Sequence, residues 1–160
     1  VDAPAPPLHP EVEPLAGLLG TWRGEGAGEY PTISGFRYGE EVRFWHVGKP
    51  FLAYAQRTWS LEDGRPLHGE SGYWRAKPGG AVELVLAHPT GIVEVQEGRQ
   101  DGGVITLRST TMAGTATAKE VTALHRRFEL DGDRLAYTIE MAAVGQPLQH
   151  HLAASLHRVA

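Results

Sequence analysis

The sequence predicts an all-β chain: an antiparallel up-and-down β-barrel of about ten strands, with a short N-terminal helix covering one end. Three observations carry this. Apolar and polar residues alternate with a period of two through successive segments, as half-buried strands require. The 160 residues include 20 glycines and 11 prolines, many of them in turn signals between those segments. Strands of this number and length close into a barrel more readily than they stay open, and such a barrel has room inside for a ligand.

Residues 1–9 read as a flexible, proline-rich arm, and residues 10–160 as a single domain. From Pro10 to Leu19, Val12, Leu15, Leu18 and Leu19 recur at helical spacing behind a proline suited to a first turn. The first strand follows through Gly20-Thr21-Trp22-Arg23-Gly24-Glu25-Gly26-Ala27-Gly28. One face carries Trp22 and then bare backbone at Gly24, Gly26 and Gly28; the other carries Arg23, Glu25 and Glu29. Three interior glycines at period two imply either another backbone or a ligand lying close, or a sharply bent barrel corner. The segment alone leaves both open.

Tyr30–Gly35 reads as a loop. Strands are then expected at Glu40–Val47, Phe51–Leu61, His68–Lys77, Val82–Ala87, Ile92–Glu97 and Val104–Ser109. Thr110–Lys119 is small, hydroxyl-rich and unpatterned. Glu120–Leu130 and Arg134–Ala142 form a hairpin about Asp131-Gly132-Asp133, and Leu148–Val159 is the last strand.

Composition narrows the function. A formal charge of −4 with no basic face gives nucleic-acid binding no support. With no cysteine, thiolate metal sites, disulfides and covalently attached haem are excluded, and a reducing, cytoplasmic setting is the natural expectation. The start has no signal-peptide pattern, and no apolar run approaches the roughly 18 residues of a membrane span.

Eight histidines (His9, His46, His68, His88, His125, His150, His151 and His157) carry no spaced metal signature. A single imidazole still suffices as a haem ligand in an apolar pocket. His151 is the leading candidate, since its parity on the last strand holds Ala153 and Ser155, small enough to leave room for a flat molecule. The opposite parity, with Leu152, Ala154 and Leu156, looks at least as buried. Either His151 faces the cavity and the leucines meet a partner, or the leucines face inward and His151 is solvated. Lys119 reads as an edge charge or a carboxylate partner, Thr32 as a loop hydroxyl, and His88-Pro89-Thr90-Gly91 as a turn or a polar group at the cavity mouth. Glu70 beside His68 forms a conceivable acid–base pair at a strand end.

Several segments together resemble the nitrobindin family of haem-binding barrels. Gly20-Thr21-Trp22-Arg23-Gly24-Glu25-Gly26 fits the family's G-x-W-x-G-x-G pattern. It is joined by Tyr30-Pro31-Thr32, Glu41-Val42, His46-Val47-Gly48, Pro89-Thr90-Gly91 with Val93-Glu94-Val95, and Gln146-Pro147-Leu148 through His151-Leu152. The likeness spans nearly the whole domain. It implies a ten-stranded barrel holding non-covalent ferric haem b, reversible nitric oxide binding and conversion of peroxynitrite to nitrate. Metal ligation falls on His151, with His150 as competitor. Haem contacts fall on Thr32, Lys119, Trp22, Gly24 and Gly26, the macrocycle lying against the glycine face. No catalytic side chain is implied beyond the haem iron.

Two other classes compete: a non-catalytic carrier of an apolar ligand such as a fatty acid, and an interaction domain using the outer face of the last strand. A two-fold homodimer is compatible with all three.

Overall fold

The computed structural model describes residues 3–160, so the expected arm over residues 1–9 lies partly outside the described residues. Of the remainder, Leu8 packs on the core, and His9 caps the following helix by accepting the Glu11 N–H at Nδ1. Ten strands follow: β1 (Gly20–Tyr30), β2 (Ile33–Trp45), β3 (Leu52–Ser60), β4 (Pro66–Lys77), β5 (Ala81–Ala87), β6 (Ile92–Asp101), β7 (Val104–Gly114), β8 (Val121–Asp131), β9 (Arg134–Ala143) and β10 (Gln149–Arg158). Each pairs antiparallel with its neighbour in sequence, and β10 pairs with β1 to close the barrel. Closure leaves no free sheet edge.

Two segments differ from the sequence expectation. The supposed loop after Tyr30 shrinks to the turn Pro31-Thr32, because Ile33 already pairs with Tyr30. The unpatterned stretch from Thr110 splits, its first half completing β7, where Gly114 pairs with Ile92. Both are cases of sheet pairing outweighing local composition.

The N-terminal helix, Pro10–Leu18, is of the 3-10 type rather than α. Its buried residues Val12, Leu15 and Leu18 recur at intervals of three, which matches three residues per turn, and Pro14 inside it lacks the N–H an α-helix would use. The three side chains plug the closed end. Beneath them Trp22 is fully buried, and its Nε1–H donates to the Leu18 carbonyl at 2.8 Å. The Arg158 guanidinium lies 4.3 Å from the Trp22 ring centroid and donates to the carbonyls of Gly17 and Leu19 and to Asp133. The end of β10 is thereby tied to the helix at the start of the chain. Trp74, Phe44, Leu84, Leu107 and Leu135 join the helix side chains in one core cluster, and Phe44 and Leu135 also line the cavity beyond it. Among the described residues, no helix is long and apolar enough to cross a membrane.

The glycine stripe of β1 does face inward, opposite exposed Arg23, Glu25 and Glu29. Its purpose is close packing of neighbouring strands. A Cβ on Gly24 would stand 2.0 Å from the Ser155 carbonyl oxygen of β10, and one on Gly26 would stand 2.4 Å from the Tyr38 ring of β2. Side chains of Tyr38, Phe36 and Leu156 cover the bare face. What lies close to the glycines is thus the backbone of β10 together with side chains of β2 and β10.

Candidate functional site

The opposite half of the barrel holds an open-mouthed cavity of about 1450 Å³, larger than the roughly 300–1,000 Å³ of a common small-molecule site. One side is mainly apolar, with Ile139, Met141 and Leu152 of β9 and β10 and Phe36 of β2; the other carries His68 and Glu70 of β4 and His88 of the β5–β6 turn, toward which Arg126 reaches from β8, two residues on from Leu124.

His151 stands on the apolar wall. Neither of the two parity readings of β10 holds, because the strand bulges here. His150 pairs with Glu140 and Leu152 with Ile139, so His151 is the extra residue between consecutive partners. A bulge re-aims side chains. It lets His151, Leu152 and Leu156 all face the cavity, whereas His150 is exposed. A second irregularity, between Gly28 and Tyr30 of β1, accompanies the placement of the Glu29 carbonyl 3.0 Å from His151 Nδ1. A carbonyl only accepts, so Nδ1 carries the proton and, in the neutral ring, Nε2 carries the lone pair. Burial lowers the His151 pKa, with His150 adding to that and the Glu29 contact opposing it, so the neutral form prevails at pH 7. Tyr30 packs edge-on against the imidazole, ring centroids 5.4 Å apart. Its hydroxyl donates to the Met141 carbonyl at 3.1 Å and accepts the Ala143 N–H at 2.9 Å. Tyr30 and Glu29 thus fix the ring from two directions.

Lys119 lies on the loop between β7 and β8, exposed, and lines the cavity with Thr117. Thr32 is exposed in the β1–β2 turn and is not a lining residue, although Ile33, Ser34 and Gly35 beside it are. Trp22, Gly24 and Gly26 do not line the cavity. Trp22 belongs to the closed end, and side chains of Leu156 and Tyr38 stand over Gly24 and Gly26, whereas Gly28, farther along the same stripe, does line the cavity.

Sequence reasoning pointed to His68 and Glu70 but missed the buried charges they join, Arg126 and Glu94, and Glu40 beyond them. Arg126 is buried, donating to both oxygens of Glu70 at 2.9 and 3.1 Å and to Glu94 Oε1 at 2.9 Å. Tyr54 donates to Glu70, and Gln96 to Glu94. Burial works to raise the Glu70 pKa, but the Arg126 charge and these hydrogen bonds hold it down to about 2. Glu94 is likewise held low against burial by Arg126 and His88. Farther round, Glu40 Oε2 accepts from Gln56 Nε2 at 2.6 Å and from Tyr137 at 3.0 Å, with Tyr38 donating to Tyr137 at 2.8 Å. Glu40 has no guanidinium in contact, so burial lifts its pKa to about 7. The missed signal was parity: Glu40 shares a face with Val42 and Phe44, Glu70 with Trp74, and Arg126 with Phe128, so each charge sits in inward phase.

Fold and site together define a closed antiparallel barrel that takes a small ligand through one open end and offers it a neutral, pre-oriented imidazole. The chain belongs to the family described as "THAP4-like, heme-binding beta-barrel domain", which matches residues 11–158. It is 61 % identical over 155 residues to Peroxynitrite isomerase 2 of Mycobacterium avium (strain 104), covering 94 % of this chain and 96 % of that one. It is 57 % identical over 158 residues to Peroxynitrite isomerase 1 of Mycobacterium tuberculosis (strain H37Rv), with the same coverage. The crystal structure of Rv2717c from M. tuberculosis superposes with a TM-score of 0.90 at 53 % identity, covering 96 % of this chain and all of the other. The resemblance first drawn from the glycine–tryptophan motif and the terminal His-Leu pair stands.

Proposed function

We propose that residues 10–160 form one domain that holds non-covalent ferric haem b through His151 Nε2, binds nitric oxide and isomerises peroxynitrite to nitrate. The observation that carries this is the imidazole itself. Its Nδ1–H is committed to the Glu29 carbonyl, so the lone pair on Nε2 is available to a metal, and the bulge turns the ring to the cavity. The donor set fits haem: one neutral nitrogen base, apolar walls at Leu152, Ile139 and Met141, and a cation at the rim. Names of the relatives supply the reaction.

Haem, when bound, supplies a Lewis-acid iron for the peroxynitrite oxygens. The protein's share is positional. Glu29 and Tyr30 hold the imidazole in one tautomer and one orientation, which raises its strength as a ligand. Lys119 provides a positive charge for a propionate. The apolar side chains of Leu152, Ile139 and Met141 would keep water from the bound group. Thr32, from the exposed β1–β2 turn, is at most a rim contact. A cytoplasmic setting fits the absence of cysteine.

The test is expression with haem supply, followed by visible spectroscopy. A Soret band that shifts with nitric oxide, and a raised nitrate yield from peroxynitrite, are expected. His151→Ala abolishes or greatly weakens the band, while His150→Ala leaves it intact. A wild-type chain with no Soret band would instead be a carrier of an apolar ligand.

A further inference from the structure

The geometry points to a second metal centre on the polar wall, a site for a divalent first-row transition ion, zinc foremost, formed by His68 Nε2, Glu70 Oε2 and His88 Nδ1. Their three ligand atoms lie within 4.8 Å of one another. His68 Nε2 stands 3.0 Å from His88 Nδ1, and His88 Nδ1 stands 3.6 Å from Glu70 Oε2. Two atoms each bonded at about 2.0–2.1 Å to a tetrahedral ion stand about 3.3 Å apart, so these separations bracket what a shared ion requires.

The surroundings favour the ion further. His88 Nε2 lies 2.7 Å from Glu94 Oε2, and the carboxylate accepts the ring N–H there. The carboxylate–imidazole pair leaves His88 Nδ1 as a lone pair directed at the site, the arrangement that commonly supports a metal-bound histidine. Nδ1 and the Glu70 oxygen are then both acceptors, facing each other across 3.6 Å. His68 now bridges one side with its Nε2–H; moving that proton to its own Nδ1 frees the lone pair for the ion. Locally, Glu70 and Glu94 oppose one guanidinium, Arg126, which leaves a net negative charge to attract a cation.

The ligands also come from rigid elements. His68 and Glu70 are two apart on β4 and share a face. His88 begins the β5–β6 turn, closed by its N–H donating to the Ile92 carbonyl and by the Gly91 N–H donating back to the His88 carbonyl. All three line the cavity, so further coordination positions open to whatever enters it. His151 takes no part, and the site does not depend on the haem reading.

The test is a zinc titration of the full chain as purified, by calorimetry, repeated with cobalt(II) to read tetrahedral coordination in its visible absorption. One ion per chain is expected, with cobalt showing a tetrahedral spectrum and any Soret band unmoved. His68→Ala, at the cavity rim, leaves the fold intact, checked by circular dichroism, and removes the binding. Glu94→Gln weakens it by roughly 10–100-fold, the usual cost of losing a carboxylate behind a metal-bound imidazole. No binding to the wild-type chain, or binding unchanged in the folded His68→Ala protein, overturns the assignment.

Discussion

The wall that carries His151 and the wall that carries Arg126 enclose the same cavity, yet they solve opposite problems. On the first, apolar side chains surround one imidazole whose only strong partner is a backbone carbonyl, and the ring remains neutral with an available lone pair. On the second, two carboxylates and a guanidinium are buried together and compensate one another, with side-chain exposures of 5, 0 and 3 % for Glu70, Glu94 and Arg126. An apolar wall with one base suits a flat, largely hydrophobic ligand. A charged wall inside a barrel persists only when its charges are paired and hydrogen-bonded, and here one guanidinium serves both carboxylates.

The largest effect is expected where that matching is broken. Arg126→Leu leaves Glu70 and Glu94 buried without their counter-charge and costs about 3–5 kcal/mol, read as a lower denaturant midpoint at pH 7. A loss below about 1 kcal/mol would mean that the two carboxylates are wetter than the geometry shows.

Glu40 tests the same wall by pH. Its folded-state pKa lies above the ordinary 4.5, at about 7, so the folded chain retains a proton that the unfolded chain has released. Stability is therefore full below pH 4.5 as far as Glu40 is concerned and falls as pH rises to 7, by up to about 3 kcal/mol at about 1.4 kcal/mol per unit. Glu40→Gln flattens this slope in denaturation curves taken across that window. Glu70 moves oppositely: its stabilisation is present above pH 4.5 and lost as pH falls toward 2.

Gly26→Ala sharpens the comparison from the apolar side. The added Cβ meets the Tyr38 ring at 2.4 Å, so Tyr38 must swing, at about 1–3 kcal/mol of overpacking, seen as a lower thermal midpoint. The smallest effect belongs to the outer surface. Removing Glu25, paired with Arg37 at 3.2 Å but well exposed, changes stability by about 0.5 kcal/mol or less. Carboxylate–guanidinium chemistry is shared by the Glu25 and Glu70 pairs; only burial separates the two outcomes.

Much of the architecture was legible in the chain. Alternation and turn signals located all ten strands, because side-chain parity and hairpin chemistry are properties of a few consecutive residues. The site was legible only in part. Parity on β10 argued as much against His151 as for it, and only the resemblance of the terminal His-Leu favoured it. Glu70 and His68 were seen as a pair at a strand end, but Arg126 and Glu94 lie 56 and 24 residues beyond Glu70 in the chain, on other strands. Period-two reading marks each as inward. It does not say which inward charges meet.

By itself, then, the sequence determined the strand count, the closed antiparallel order and the stripe of glycines on β1. The tertiary structure alone decided that Tyr38 and Leu156 occupy that stripe, that residue 151 bulges toward the cavity, and that three strands and a turn bring His68, Glu70, His88, Glu94 and Arg126 together. The reason is physical: alternation belongs to one strand, whereas a bulge and a charge cluster belong to the register between strands, which exists only once the barrel has closed.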